Sequence, residues 1–427
     1  MNKTNFALID CNNFYVSCER MFRPDLWQKP VAVLSNNDGC IVARSNELKN
    51  LGVVMAAPYF KQKEILDKIG CVIFSSNYTL YNDISNRVMA IIATFFDKIE
   101  IYSIDEAFVE LPQWSAEEMQ EVCMELKNTV WKWLNIPISI GVGPTKTLAK
   151  LANEKAKKDG RKDNLYNGYY RVEKNDDLES ILATVEIRDV WGIGRKYAKK
   201  LTENGIYTAW DFVRADSAWV KKNFSVMGAR TQKELTGQTY YGLEEKASRQ
   251  GIASTRSFGR PVTALKDLME AVSSYTTIAA QKLRKDGLET NCLSVFLMTN
   301  RFKINFVYAN LDVKLVQATN STHVLATEAL KLVKKIYKPG LNYAKAGVFL
   351  TNLHSQDEVA YSLFESENRD LDKEKRAMTA LDTINKKFGR DALKLLSNGI
   401  AKPWQMKQTQ VSPKITTSWQ ELMTADS

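Results

Sequence analysis

Two adjacent carboxylates, Asp105 and Glu106, sit inside the otherwise apolar stretch IEIYSIDEAFVEL, Ile99 to Leu111. Buried charge must be paired or bound to a cation, so the pair is either a cation site or the acidic turn of a surface hairpin. Ile99, Ile101, Ser103, Asp105, Ala107, Val109 and Leu111 fall on one side of a period-2 pattern. Neighbours on a regular strand point to opposite faces, so both acids meet one cation only if the backbone bends between them. A third acid, Asp10, ends the short apolar strand Phe6–Ile9, just before a helix-like CNNFYVSCERMF. Ligand sites of α/β folds commonly occupy such strand ends. The alternative is that Asp10 only caps the helix, for which Asn12 and Asn13 also qualify.

The remaining inventory narrows the chemistry. Only two His occur, His323 and His354, which nearly excludes His-based triads and His-rich metal sites. The six Cys show no C-x-x-C spacing, as expected for a reducing cytosol rather than a zinc or disulfide scaffold. Catalysis must then rest on carboxylates, Lys, Arg, Tyr or backbone. A net charge of +10 suggests a polyanionic partner. No apolar run has transmembrane length, and the start MNKTNFALID passes straight into a strand, unlike a secretory signal.

With 427 residues the chain has room for two to four domains. Residues 31–74 read as a small unit of strand, NNDG turn, strand and helix, with Arg44 and Lys49 as its notable cations. Amphipathic helices are predicted over Asn82–Phe96 and Glu117–Leu134. PISIGVGPTKTLAKLANEKAKKDGRK follows as a strand, a Gly-Pro turn and a basic helix, with seven basic and two acidic residues from Lys146 to Lys162. This order suggests a mixed ferredoxin-like sheet with helices on one face. Trp191 to Leu201, followed by Asn204-Gly-Ile206, reads as a helix-hairpin-helix. Gly192 and Gly194 would let backbone N–H groups approach a phosphate, and Arg195 and Lys196 would add attraction. Beyond a polar linker at 244–250, strands and helices follow in the order βαββαβ to about residue 353. One amphipathic helix around Met378–Phe388 precedes a polar tail.

The stretches FALIDCNNFYVSCE, SNNDGCIVAR, FSSNYTLY, YSIDEAF, GVGPTKTLAKLAN and DVWGIGR resemble Y-family DNA polymerases. The likeness is to the UmuC type, the catalytic subunits of bacterial polymerase V and their mobile-element relatives. It extends through RSFG, which contains Arg256, to WQMK near the end. The resemblance implies an α+β multidomain fold. Residues 1–30 and 75–165 would form a ferredoxin-like palm, 31–74 small fingers, 166–243 a helix-hairpin-helix thumb, 244–353 a βαββαβ little finger and 354–427 a C-terminal partner-binding tail. It implies that Asp10, Asp105 and Glu106, with the Cys11 carbonyl, hold two Mg²⁺, with Mn²⁺ as a substitute. Tyr15 would be a steric gate against ribose, with Phe14 beside it, and Lys157 would contact the triphosphate. Gly192, Gly194, Arg195, Lys196 and Arg256 would meet DNA. Lys146 and Lys150 are read as DNA or surface contacts.

Two departures stand out. Many relatives grip the triphosphate with a Tyr and an Arg three residues apart, where this chain has Asn46 and Lys49; Arg44 would compensate. The clamp-docking peptide is reduced to Ala360-Tyr-Ser-Leu-Phe364, which keeps Leu363 and Phe364. The implied partners are primer-template DNA, deoxynucleoside triphosphates, a cleaved UmuD homodimer, RecA and the sliding clamp, with no membrane. The implied setting is low-fidelity synthesis past damaged bases in the SOS response of a bacterial cytoplasm. Two readings compete. A non-catalytic DNA-binding scaffold recruiting repair factors accounts for the charge and the hairpin but not for three acids at strand ends. A cyclase on the same palm leaves the template-holding elements unexplained.

Overall fold

Phe6 to Ile9 are apolar without interruption, and they lie in the middle of a sheet covered on both faces. The computed structural model describes residues 5–159, 168–172, 178–244, 249–356, 371–389 and 391–422. It forms two units, one of Met1–Ser35, Cys40–Ala247 and Gln410–Ser427, the other of Asn36–Gly39 and Ser248–Thr409.

The first unit begins with β1 (Asn5–Cys11) and α1 (Phe14–Met21). A small sheet follows, built from β2 (Val31–Leu34) and β3 (Ile41–Arg44), then α2 (Asn46–Asn50), α3 (Tyr59–Lys68) and β4 (Val72–Ser75). Its strand order is β3-β2-β4, and Ala32, Leu34, Ile41, Leu48 and Leu66 fill its core. Next come α4 (Tyr78–Phe95), β5 (Ile99–Ile101), β6 (Glu106–Leu111), α5 (Ala116–Leu134), β7 (Ile138–Gly143), α6 (Lys146–Asp159) and β8 (Tyr169–Arg171). The principal sheet runs β5-β6-β1-β7-β8 and is mixed: β1 is antiparallel to β6 and β7, and β7 is parallel to β8.

Alternation along these strands sorts their side chains into two layers. Ala7, Ile9, Ala107, Val109, Ile140 and Val142 join Ile84, Val88 and Leu126 of α4 and α5 in one core. Phe6, Leu8 and Phe108 meet Ala149 of α6 on the opposite face. Helices therefore cover both faces, which corrects the expectation of one. Glycine is the reason: a Cβ on Gly141 would lie 2.1 Å from the Asn153 amide nitrogen and 2.4 Å from the Ala149 carbonyl. Gly141→Ala must push α6 off the sheet, and overpacking of this kind costs about 3 kcal/mol or more. The expected result is little soluble protein or a lowered melting temperature; unchanged melting would show that α6 can lift freely.

The four helices α7 (Leu178–Ala183), α8 (Arg195–Thr202), α9 (Ala209–Arg214) and α10 (Ser217–Leu235) share a core that includes Leu182, Leu201, Phe212, Val220 and Phe224.

The second unit contains β9 (Gly251–Val262), α11 (Leu265–Lys285), β10 (Leu288–Thr299), β11 (Tyr308–Thr319), α12 (Thr322–Ile336) and β12 (Tyr343–Ser355). Its sheet is ordered β11-β10-β12-β9 and is antiparallel throughout. Each helix thus links two strands separated by a third, and Leu268, Val272, Leu325 and Val333 seal the core against the sheet. Trp404, from the late WQMK segment, is buried there edge-on to Tyr275 at 5.6 Å. α13 (Leu371–Phe388) completes the unit, tied to α11 by the Arg284–Asp382 ion pair at 2.6 Å. Leu363 and Phe364 lie outside the described residues. No helix among the described residues is long and apolar enough to cross a membrane.

Candidate active site

Ile99 to Leu111 folds as the β5–β6 hairpin, with Ile101 opposite Ala107 and Tyr102–Asp105 in the turn. The backbone does bend here: Asp105 ends the turn and lines the cavity described below, whereas Glu106 begins β6 and faces Lys150 of α6. The Ser103 hydroxyl shapes the corner, accepting from the Asp105 and Glu106 amides at 3.2 and 3.0 Å and donating to the Asp105 carboxylate at 2.6 Å. Asp10 pairs with Glu106 in the β1–β6 register, and the Cys11 amide donates to the Asp105 carbonyl at 2.9 Å. Asp10 is thus brought beside the distant Asp105-Glu106 pair at the ends of two neighbouring strands. The reading of Asp10 as a helix cap does not hold, because α1 starts from Asn13.

Asp10, Cys11, Phe14, Tyr15, Arg44, Lys49, Asp105 and Lys157 line one cavity of about 760 Å³. Lys157 donates to the Asp10 carboxylate at 2.9 Å and to Glu154 at 3.0 Å. Burial pushes the Asp10 carboxyl up to about 7, against the pull of Lys157 and with help from Glu106 and Asp105. Despite its own burial, Lys157 is held above the usual lysine range by Asp10 and Glu154. Glu106 lies across both oxygens from Lys150, at 3.1 Å each. Every donor in the set is an oxygen, the chemistry of a hard divalent cation. Among the described residues, no three Asp, Glu, His or Cys side chains are gathered around a common metal position. Here lysines supply the positive charge: Asp10 faces Lys157 and Glu106 faces Lys150.

Two lysines depart from the sequence reading. Lys150 is no surface contact, since its ammonium also lies 4.6 Å from the Tyr102 ring and 5.7 Å from Trp191. Lys146 is buried, paired with Glu100 and stacked on Phe108 at 5.0 Å. Their i,i+4 spacing in TKTLAK puts both on one face of α6, and that face meets the sheet.

On the other wall, Lys49 donates to the Asn13 side chain, which itself donates to Asn46 at 3.0 Å. Asn13 itself adopts the left-handed conformation, with φ 50°, a region in which Asn is enriched. Arg44 donates to the Val53 carbonyl. Phe14 is a core residue as well as a wall, with 3% of its surface exposed. The Tyr15 ring stacks on Tyr81 at 4.4 Å and 16°, and burial raises its phenol to about 12.

Tyr81 in turn donates to the buried Glu19 at 2.6 Å, and burial lifts that carboxyl to about 7 from the ordinary 4.5. The folded chain therefore holds the Glu19 proton more tightly than the unfolded chain. This contribution to stability is full below about 4.5 and is lost as pH rises through 7, on the order of 3 kcal/mol in all. Melting curves from pH 5 to 8.5 are expected to show Glu19→Gln gaining on the wild type as pH rises. A constant difference would exclude the buried carboxyl.

The hairpin glycines differ in role. Gly192 has φ +87°, which disfavours any side chain. Gly194 is the N-cap of α8 with ordinary φ, and a Cβ there would meet open space within the chain. No side chain caps α8 at Gly194, and Arg195 and Lys196 beside it are exposed. The Trp191 indole donates to Tyr102 at 3.1 Å, joining this hairpin to the Glu106 corner. Arg256 lies on β9 of the second unit and donates to the Thr255 carbonyl at 2.8 Å.

A mixed sheet with paired acids at its strand ends, a helical hairpin and a βαββαβ unit define the architecture of Y-family DNA polymerases. A Y-family polymerase chimera of Dbh and Dpo4 superimposes with a TM-score of 0.67 at 21% identity, covering 82% of this chain and 99% of the chimera. The insertion ternary complex of Dbh DNA polymerase gives 0.57 at 20% identity, covering 82% and 99%. The sequence matches the impB/mucB/samB family over residues 9–154, the IMS family HHH motif over 175–206 and the impB/mucB/samB C-terminal domain over 249–363. Residues 375–425 match a domain of unknown function, DUF4113. Protein UmuC of Salmonella typhimurium is 40% identical over 98% of this chain and 99% of its own length. Protein MucB of Escherichia coli is 36% identical over 98% of each, and DNA polymerase IV 1 of Mesorhizobium japonicum is 23% identical over 92% and 86%. The chain belongs to the impB/mucB/samB family, which includes Protein UmuC, and it has the fold of Y-family DNA polymerases.

Proposed function

We propose that this protein is a template-directed translesion polymerase that adds deoxynucleotides to a primer 3′ end with low fidelity during the bacterial SOS response. The observation that carries the reading is the β1–β6 register, which sets Asp10 against Glu106, with Asp10, Asp105, Lys157 and Tyr15 all lining one cavity. Asp10, Asp105, Glu106 and the Cys11 carbonyl would hold two Mg²⁺, or Mn²⁺ in its place. The ions supply activation of the primer hydroxyl and neutralisation of the leaving pyrophosphate. Lys157 binds the triphosphate, supported by Lys49 and Arg44, and Tyr15 with Phe14 forms the floor under the sugar. The α8 hairpin with Gly192, Gly194, Arg195 and Lys196 holds DNA backbone, as does Arg256 on the little finger.

In domain terms, residues 1–30 and 75–165 serve as palm, 31–74 as fingers, 166–243 as thumb and 244–353 as little finger, with a partner-binding tail beyond. The proposed partners are primer-template DNA, a UmuD′-type homodimer, RecA and, through Leu363 and Phe364, the sliding clamp, all in the bacterial cytoplasm.

Primer extension across a damaged template, with Mg²⁺ and with excess EDTA, tests the reading. Extension that needs Mg²⁺ supports it; tight DNA binding with no extension under any partner combination would favour the scaffold. Hydrogen bonds to charged groups contribute about 1.5–3 kcal/mol. Lys157→Ala is therefore expected to lower kcat/KM for nucleotide by about 10- to 150-fold, chiefly through KM.

A further inference from the structure

The C-terminal segment Gln410–Pro413 belongs to the same unit as the candidate active site and is held there by polar contacts. The Gln410 carbonyl accepts from the Ser75 amide at 2.9 Å, and its amide donates to the Ser75 hydroxyl at 3.0 Å. Asn77, which caps α4 by accepting from the Leu80 amide, donates to the Ser412 hydroxyl and carbonyl at 3.0 Å each. The Ser412 hydroxyl donates to Glu19 at 3.1 Å, on the oxygen that also accepts from Tyr81. Asn77, Glu19 and Tyr81 are all buried, and the Tyr81 ring stacks on Tyr15. A continuous chain of contacts thus runs from the tail to the sugar floor of the cavity. Aromatic stacking fixes a ring only as well as its partner is fixed, and the one oxygen that pins Tyr81 from behind, on the buried Glu19, is itself held by the half-buried Ser412.

We propose that Ser412, Glu19 and Tyr81 are positioning residues for sugar selection, through which the C-terminal segment holds Tyr15 against the ribose 2′-position. This gives part of the region matching a domain of unknown function a role inside the polymerase unit. The inference rests on Tyr15 being the sugar gate. A ring free to tilt admits a 2′-hydroxyl more readily while leaving the deoxynucleotide contacts in place. The effect therefore falls on the ratio of ribonucleotide to deoxynucleotide insertion rather than on both equally.

The test is single-nucleotide insertion by the full-length chain, comparing kcat/KM for matched ribo- and deoxynucleotides. Ser412→Ala, Tyr81→Phe and Glu19→Ala are each expected to raise ribonucleotide insertion about three- to tenfold, with deoxynucleotide insertion within about twofold of wild type. Ser412→Thr and Glu19→Gln, which keep a hydroxyl and an acceptor, are expected to restore discrimination. Adding Tyr81→Phe to Tyr15→Ala should change the ratio no further. An unchanged ratio in all three disruptive variants, with Tyr15→Ala losing discrimination, overturns the positioning role. If Tyr15→Ala itself keeps discrimination, it is the gate assignment that falls. A parallel drop with both sugars would mark the cluster as merely structural. Glu19→Ala empties a buried site and can misfold, so Ser412→Ala at the half-buried end of the chain carries the decision.

Discussion

Glu106→Gln and Asp105→Asn are each expected to reduce primer extension by at least about a thousandfold while the protein still folds. Both substitutions are isosteric, so the packing of the turn survives and only the charge is removed. Asn at 105 can still receive the Ser103 hydroxyl, which now donates to the Asp105 carboxylate at 2.6 Å. Gln at 106 loses an ion pair to Lys150, whose side chain is 17% exposed against 18% for Glu106, and Lys150 keeps its contacts with Tyr102 and Trp191. Stability should therefore fall by no more than about 1–3 kcal/mol. Activity depends on a different quantity. Metal stabilisation of a phosphoryl-transfer transition state amounts to several kcal/mol, and about 4 kcal/mol corresponds to a thousandfold. Running-start extension on undamaged template, alongside thermal melting of each variant, separates the two effects. Near-normal extension by either variant would remove the metal-ligand assignment. Lost extension with collapsed melting would show instead that the acids hold the hairpin together. Asp10→Asn belongs in the same series, because Lys157 retains Glu154 at 3.0 Å when Asp10 is neutralised.

The second large effect is in substrate choice. Tyr15→Ala is expected to raise ribonucleotide insertion relative to deoxynucleotide insertion by about 5- to 150-fold. The phenol ring lines the cavity from α1, one residue after the buried Phe14 and against the fully buried Tyr81. It has little room to retreat from an added oxygen. Forcing extra volume into a filled site costs about 1–3 kcal/mol, and truncation to Ala removes that repulsion without removing a contact that a deoxynucleotide needs. Competitive insertion assays with matched ribo- and deoxynucleotides measure the ratio. No change in it would place the sugar elsewhere in the cavity.

Much of this arrangement could be read from residue type and spacing. The alternation in Ile99–Leu111, the apolar strand ending at Asp10 and the helical periodicity of α4 and α5 each reflect local rules that act along a few residues. The glycine pair in Trp191–Arg195 likewise announced a tight approach, although only Gly192 needs its backbone freedom. Less legible were the lysines of α6. Their charge suggested solvent or DNA, whereas Lys146 and Lys150 face inward to Glu100 and Glu106. Helical spacing says which residues share a face, but it cannot say what that face will meet. The second helical layer was hidden for the same reason: Gly141 and Gly143 permit the close approach of α6, yet a glycine in a strand equally suits a bulge or a bend.

From its amino-acid sequence alone, this protein is a basic, His-poor chain with acids at strand ends, a glycine hairpin and an aromatic pair after the first strand. Local chemistry determines these features, because backbone preference and side-chain period act over short range. Only the tertiary structure decided that Asp10 stands opposite Glu106 across a strand pair, that lysines from α6 neutralise both, and that Ser412 reaches Glu19 from the far end of the chain. Those contacts join residues up to 393 positions apart. Strand register and close packing select such pairings, and neither is encoded within any one segment.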